Sequence, residues 1–152
     1  MNHQQVNWQA LPYQQLSRDQ LYAILNARVA VFVVEQDCPY QDVDGLDPAG
    51  IHVIGSLSDG QVLAYARVLP PGKRFAEPSI GRVLTTGVGR GRGLGRELME
   101  RSLTVAGEYF PGQAIRISAQ QYLVAFYTSL GFETVRGPYP EDGIPHLEMV
   151  RK

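Results

Sequence analysis

Between Val88 and Met99 the chain reads VGRGRGLGRELM, with Gly89, Gly91, Gly93 and Gly95 alternating with Arg90, Arg92 and Arg96 before an apolar helical pattern begins. Glycine allows a ligand close to the backbone, and arginine brings forked donors. A helix start adds unpaired N–H groups at the positive end of a dipole. A phosphate group is the guest that suits all three, and a flexible basic turn is the plainer alternative. Two familiar nucleotide loops are excluded by register. After Gly89 and Gly91 a G-x-G-x-x-G loop needs glycine where Leu94 stands, and after Gly91 and Gly93 where Arg96 stands; a Walker loop needs a lysine that is missing. What does fit is R-x-x-G-x-G, carried by Arg90, Gly93 and Gly95.

The remaining elements follow from periodicity and turn chemistry. Ser17 with Gln20 three residues on forms a capping-box pattern, and Leu21, Ile24, Leu25, Val31 and Phe32 continue an apolar stripe, so a helix is predicted over about 17–34. Arg28 falls inside that stripe and needs a buried partner, for which Glu35, Asp42 and Asp44 are the candidates. IHVIGSLSDGQVLAYARVL reads as two strands about a type I′ turn at Asp59-Gly60. PPGKRFAEPS is a loop, IGRVLTT a third strand.

From Gly93 to Phe110 two apolar columns are predicted to lie on a sheet, Leu94, Leu98, Val105 and Tyr109 beside Met99, Leu103, Ala106 and Phe110. AIRISAQ alternates as a strand. Leu123, Phe126, Tyr127 and Leu130 mark a further helix that Gly131 ends, and the tail ETVRGPYPEDGIPHLEMVRK offers two short strands.

With 152 residues, 44% of them hydrophobic, one compact domain over 1–152 is expected. Fourteen basic residues against fifteen acidic ones leave no overall positive field for nucleic acid. No stretch reaches the roughly 20 apolar residues of a membrane span, and the start lacks a charged, then apolar, leader pattern. The single Cys38 cannot form an internal disulfide, and it reads as a small buried hydrophobe. A cytoplasmic protein is expected.

In DVDGLD, Asp42, Asp44 and Asp47 surround Gly45, but the third ligand before the glycine and the distal glutamate of a calcium loop are missing, so no metal is expected. A solvated acidic loop that attracts a cationic amine is the expectation.

The R-x-x-G-x-G stretch, placed between a strand and a helix, resembles the pyrophosphate loop of the GNAT superfamily of acyl-CoA-dependent N-acetyltransferases. IGRVLTT resembles that family's pantetheine-binding strand, ISAQ the strand that splays from it, and FYTSLGF its tyrosine-bearing helix. RVAVFVVEQDCPYQDVDGLD, His52 and EDGIPH resemble the ElaA-like branch, and the likeness covers about residues 17–150. It implies an α/β (α+β) fold with a mixed, mostly antiparallel twisted sheet of about six to seven strands, flanked by helices and splayed between strands 4 and 5. It also implies transfer of an acetyl group from acetyl-CoA to a primary amine by direct attack in a ternary complex.

The cosubstrate would meet Arg90, Gly91, Arg92, Gly93, Leu94, Gly95 and Arg96, with backbone donors of Val83, Leu84 or Thr85 at the oxyanion. Tyr127 would protonate the leaving thiolate. Gln120 and Tyr127 would also contact the cosubstrate. Two departures stand out: Gln120 replaces the asparagine common at the helix start, and Gly87 the usual proline before the loop. His146 and Glu35 are the candidate bases, with Glu148 and His52 behind them. A small-molecule or peptide amine is the expected partner, and a homodimer is left open. A non-catalytic acyl-CoA-binding module and a structural α/β interaction domain are the competing readings.

Overall fold

A computed structural model describes residues 5–152. Seven strands form one sheet in the order β1-β2-β3-β4-β5-β7-β6: β1 Asn7–Pro12, β2 Ile51–Ser56, β3 Val62–Leu69, β4 Ser79–Thr85, β5 Ile115–Gln120, β6 Glu133–Glu141 and β7 Ile144–Arg151. All neighbours are antiparallel except β4 and β5, which run parallel and pair only at Ser79↔Arg116. The mixed sheet splayed between its fourth and fifth strands is the expected one. β1 carries no clean alternation in NWQALP, and periodicity does not mark it.

Helices α1 (Arg18–Arg28), α2 (Leu94–Tyr109) and α3 (Val124–Ser129) pack on this sheet. Ser17 caps α1 by accepting from the Gln20 amide at 3.0 Å while the Gln20 side chain accepts from the Ser17 amide at 2.9 Å, closing the capping box. The predicted single helix to residue 34 is divided, however. After Arg28 the chain widens into a π-helical stretch, Val29–Glu35, with i→i−5 bonds from Gln36 to Val31 and from Cys38 to Val33. Its VAVFVV run is crowded by β-branched side chains in a normal turn, and such wide turns recur at functional sites.

Ile24, Ala27 and Val31 meet Ile54, Val62, Tyr65 and Leu84 on one face of the sheet. On the other, Leu98, Met99, Val105 and Ala106 of α2 meet Val53, Ala64, Ala66 and Val68. Tyr109 departs from its predicted column and is half exposed, whereas Ser102 is buried and donates to the Leu98 carbonyl at 2.8 Å.

The first hairpin does not use a type I′ turn. Leu57 and Gln61 close a three-residue loop in which only Gly60 has positive φ (+91°), a type I turn with a following glycine bulge. The type I′ geometry belongs to Asp142-Gly143 instead, with φ of +51° and +78°, between β6 and β7.

Arg28 is fully buried, and its partners are Asp42 (2.8 Å) and Asp47 (2.6 Å), of which only Asp42 was among the expected three. Asp44 pairs with Arg67 (2.9 Å) and Arg82 (3.3 Å), and Arg67 also reaches Asp47 at 2.9 Å. Arg82 closes the network on Asp42 at 2.8 Å. The expected solvated acidic loop is therefore an ion-pair cluster with Asp42 and Asp47 buried. Its carboxylates are consumed by guanidinium groups, because this loop has to cover three arginines that the sheet and α1 direct inward.

Burial pushes the Asp47 carboxyl up, but hydrogen bonds from Arg28 and Arg67 outweigh it and hold the group below the usual carboxylate range. Beside it, fully buried His52 donates from Nε2 to the Asp47 carbonyl (3.0 Å) and accepts at Nδ1 from the Tyr65 hydroxyl (2.6 Å). Burial lowers its pKa from the ordinary 6.5.

Arg28→Met should lower unfolding free energy by about 3–5 kcal/mol in urea titration, since it takes one guanidinium from two buried carboxylates and leaves Asp42 to Arg82 and Asp47 to Arg67. The pH dependence has two limbs. A buried neutral histidine binds fewer protons folded than unfolded, so stability falls as pH drops below about 6.5; the depressed carboxylates add a second loss below about 4. In His52→Gln the first limb should flatten while the second persists.

Candidate active site

Because β4 and β5 share one pairing and then diverge, their C-terminal ends open a cavity of about 600 Å³. A bulge sharpens the divergence. Tyr65 pairs with Leu84 and Arg67 with Gly81, so Ala66 faces two residues, and Arg82 takes a left-handed φ of +52°. Val83, Leu84 and Thr85 of β4 form one wall, and Gln120 of β5 and Tyr127 of α3 form the other. The π-helical stretch brings Phe32 and Glu35 to the opening.

The arginine–glycine loop leaves β4 from a fixed point. Thr86 donates its amide to the Leu63 carbonyl (2.9 Å), and Gly89 donates to Thr86 (2.9 Å) while lying so near β3 that a Cβ would sit 2.6 Å from that same Leu63 oxygen. Beyond it, Gly91 and Gly93 adopt φ of +79° and +71°. Gly93 is also the N-cap of α2, so no side chain caps that helix and its first-turn amides are left for another acceptor.

Gly95 lines the cavity, and nothing lies within 4 Å of where its Cβ would be. Leu94 differs from the rest of the loop, since its side chain is core. Arg90 folds back to Glu35 (2.6 Å) and to the Thr85 carbonyl (2.9 Å). Arg96 reaches Ser129 (2.5 Å) above the Phe126 ring, and Arg92 is half-buried.

Tyr127 is buried edge-on between Phe126 and Phe132, with ring centroids 5.1 and 6.0 Å away, and it lines the cavity. Burial, aided by Tyr122, pushes its phenol up to about 12, so it stays a proton donor near neutrality. Gln120 lies 3.5 Å from the Gln36 amide oxygen. His146 lines the same cavity from β7, opposite Gln120 on β5.

The two reserve candidates are elsewhere. His52 is locked under the ion-pair cluster, and Glu148 is held by Arg116 (3.0 Å) and Arg136. Cys38 is only partly buried and contacts the Asp142 carbonyl (3.4 Å) at the cavity wall, so it is not the buried hydrophobe expected.

Glu141, Arg74 and Ser118 also line the cavity and were not singled out by the sequence reading. The readable signal was Asp142-Gly143, whose turn preference marks the hairpin that brings Glu141 and His146 together.

Whether an acyl-CoA molecule suits this site can be judged from three features. Uncapped amides begin a sixteen-residue helix, the glycine surface beside them is open, and two diverging strand edges extend from there toward a buried tyrosine. An anionic head with an extended amide-bearing arm matches each in turn. Among the described residues no helix is long and apolar enough to cross a membrane.

Comparison with known proteins agrees with this geometry. The model of the acetyltransferase (GNAT) domain matches residues 3–152. Protein ElaA of Escherichia coli K12 is 43% identical over 149 residues, covering 97% of each chain. Its crystal structure superposes with a TM-score of 0.90 at 41% identity, over 97% of this chain and 99% of that one. A Pseudomonas aeruginosa acyl-CoA N-acyltransferase structure superposes with a TM-score of 0.92 at 43% identity, again over 97% and 99%. The chain therefore belongs to the GNAT family of acetyltransferases, whose fold binds acyl-CoA.

Proposed function

We propose that this protein is a cytoplasmic N-acetyltransferase that transfers an acetyl group from acetyl-CoA to a primary amine of a small molecule or peptide. The observation that carries this reading is that Arg90 and Gly95 of the arginine–glycine loop and the buried Tyr127 line one continuous cavity along diverging strands. The thioester supplies the activated acyl group. The loop amides from Gly91 to Arg96 would hold the diphosphate, with Arg90 exchanging its Glu35 partner for phosphate and Arg92 adding charge. Backbone N–H groups among Val83, Leu84 and Thr85 would stabilise the developing oxyanion, and Gln120 would border the extended arm.

An amine with a pKa near about 10.4 arrives mostly as ammonium, so a group in the cavity must take a proton before attack. His146 and Glu35 are the candidates within the cavity, and His146 is the better placed. Its Nδ1 donates to the Ile144 carbonyl at 2.7 Å, which fixes the tautomer and leaves Nε2 as acceptor when the ring is neutral. Glu35 is engaged by Arg90 until that arginine turns to phosphate. As the C–S bond breaks, Tyr127 would give its proton to the departing sulfur.

A screen for thiol release over polyamines, amino acids, aminoglycosides and lysine peptides tests the reading. Coenzyme A binding without thiol release from any amine would favour the binding-module alternative instead. Tyr127→Phe keeps the packed ring, and turnover should fall by roughly 10- to 10⁴-fold while acetyl-CoA affinity stays within a few-fold. Full activity in a folded variant would assign Tyr127 to packing alone.

Gly95→Val separates loop recognition from stability. Its new side chain enters open space on a helix, so the melting temperature should hold or rise while calorimetry reports acetyl-CoA affinity down at least about tenfold. Unchanged affinity would remove the phosphate-loop assignment.

A further inference from the structure

Glu141 ends β6 beside the Asp142-Gly143 turn and lines the cavity. Its two oxygens have different neighbours. Oε1 accepts from Arg74 at 2.6 Å and from Ser118 at 3.2 Å, and the Ser118 hydroxyl in turn lies 2.6 Å from that of Tyr139. Because Ser118 spends its only proton on Glu141, Tyr139 must donate to Ser118. That relay fixes the carboxylate plane and saturates Oε1.

Oε2 faces the ring of His146, 3.5 Å from Nε2. The Nδ1 proton is already committed to the Ile144 carbonyl, so the atom facing the carboxylate is a lone pair when the ring is neutral. Two acceptors thus face each other at the cavity wall, with the imidazole side chain only 9% exposed and stacked against Tyr139. Such an arrangement is repulsive until a donor joins it. An ammonium group carries three donors and one positive charge, and it can satisfy both acceptors at once. A neutral hydroxyl has only one proton to offer, and an anion would be repelled.

We infer that Glu141 Oε2 and His146 Nε2 form the binding and deprotonation site for a substrate ammonium group. This rests on the acyl-transfer reading for the step that follows but not for the binding itself. Glu141 holds the cation. One N–H proton passes to His146 Nε2, giving an imidazolium beside the carboxylate and a neutral amine whose lone pair attacks the thioester carbon. When the C–S bond breaks, its electron pair leaves on sulfur, which is protonated by the Tyr127 phenol; the second N–H proton restores that phenol. His146 then returns the first proton to water, so the sum is amide, free thiol and one released proton. Arg74 and Ser118 are positioning residues for Glu141.

The test uses two minimal amines of similar size, n-propylamine, which is a cation near neutral pH, and trifluoroethylamine, which is mostly neutral there. In protein carrying isotope-labelled histidine, n-propylammonium should shift the His146 Nε2 resonance saturably, with His146→Gln giving the assignment. Glu141→Gln, of the same shape and checked by its melting curve, should weaken that response by about tenfold or more. In thiol-release kinetics it should raise KM for n-propylamine by at least about tenfold more than KM for trifluoroethylamine, leaving KM for acetyl-CoA within about threefold.

No saturable shift, or equal losses for both amines, would overturn the assignment. A normal shift with no thiol released from any amine would instead keep the ammonium site and discard acetyl transfer.

Discussion

Three arginines and three aspartates behind the cavity hold the rest of the molecule in place. Arg28 comes from α1, Arg67 from β3 and Arg82 from the bulge in β4, and all three close on the segment that contains Asp42, Asp44 and Asp47. A charge cluster this deeply buried is a poor source of net stability, because desolvation cancels much of the attraction. It supplies geometry instead. A segment with almost no regular structure becomes a rigid wall, and the strained backbone of Arg82 has a fixed partner on its far side. Where the bulge sits in turn determines where β4 leaves β5.

That divergence explains why the chemistry gathers at one place. The strand ends, the start of α2, the turn of α3 and the β6–β7 hairpin all contribute residues to the gap that pairing would otherwise have filled. Buried Tyr127 and nearly buried His146 can then keep polar atoms inside the fold, since the gap admits a partner for them. The loop takes left-handed backbone at Gly91 and Gly93 yet is anchored at Gly89, where a Cβ would meet the Leu63 carbonyl.

Features that depend on neighbours in sequence were legible before the structure. The capping box at Ser17 and Gln20, the β2–β3 hairpin and the loop-to-helix transition at Gly93 each arise from signals only a few residues apart. Tyr127 was legible through its matched surroundings, not through its periodicity, which is also that of a core residue. Long-range pairings were not. Nothing local tells whether an aspartate in DVDGLD faces water or an arginine forty residues on, as Asp42 does with Arg82.

The π-helical widening was hidden because Val31 and Phe32 keep the same apolar spacing in either helix. Glu141 went unread because a glutamate in a turn-rich tail is ordinarily solvated, and only the relay from Tyr139 through Ser118 singles out one of its oxygens.

A sheet joined across its middle by a single residue pair is, mechanically, two sheets. β1 to β4 form one ladder and β5, β7 and β6 another, and between Ser79↔Arg116 and the open ends the halves are coupled by the side chains of α2 and α3, not by backbone bonds. Any guest that hydrogen-bonds to both edges becomes an additional rung and joins the ladders into one. Occupancy and rigidity are then a single equilibrium. On this geometry the edge amides of β4 and β5 that face the gap gain protection from solvent exchange when a guest bridges it, whereas those paired with β3 and β7 are already held.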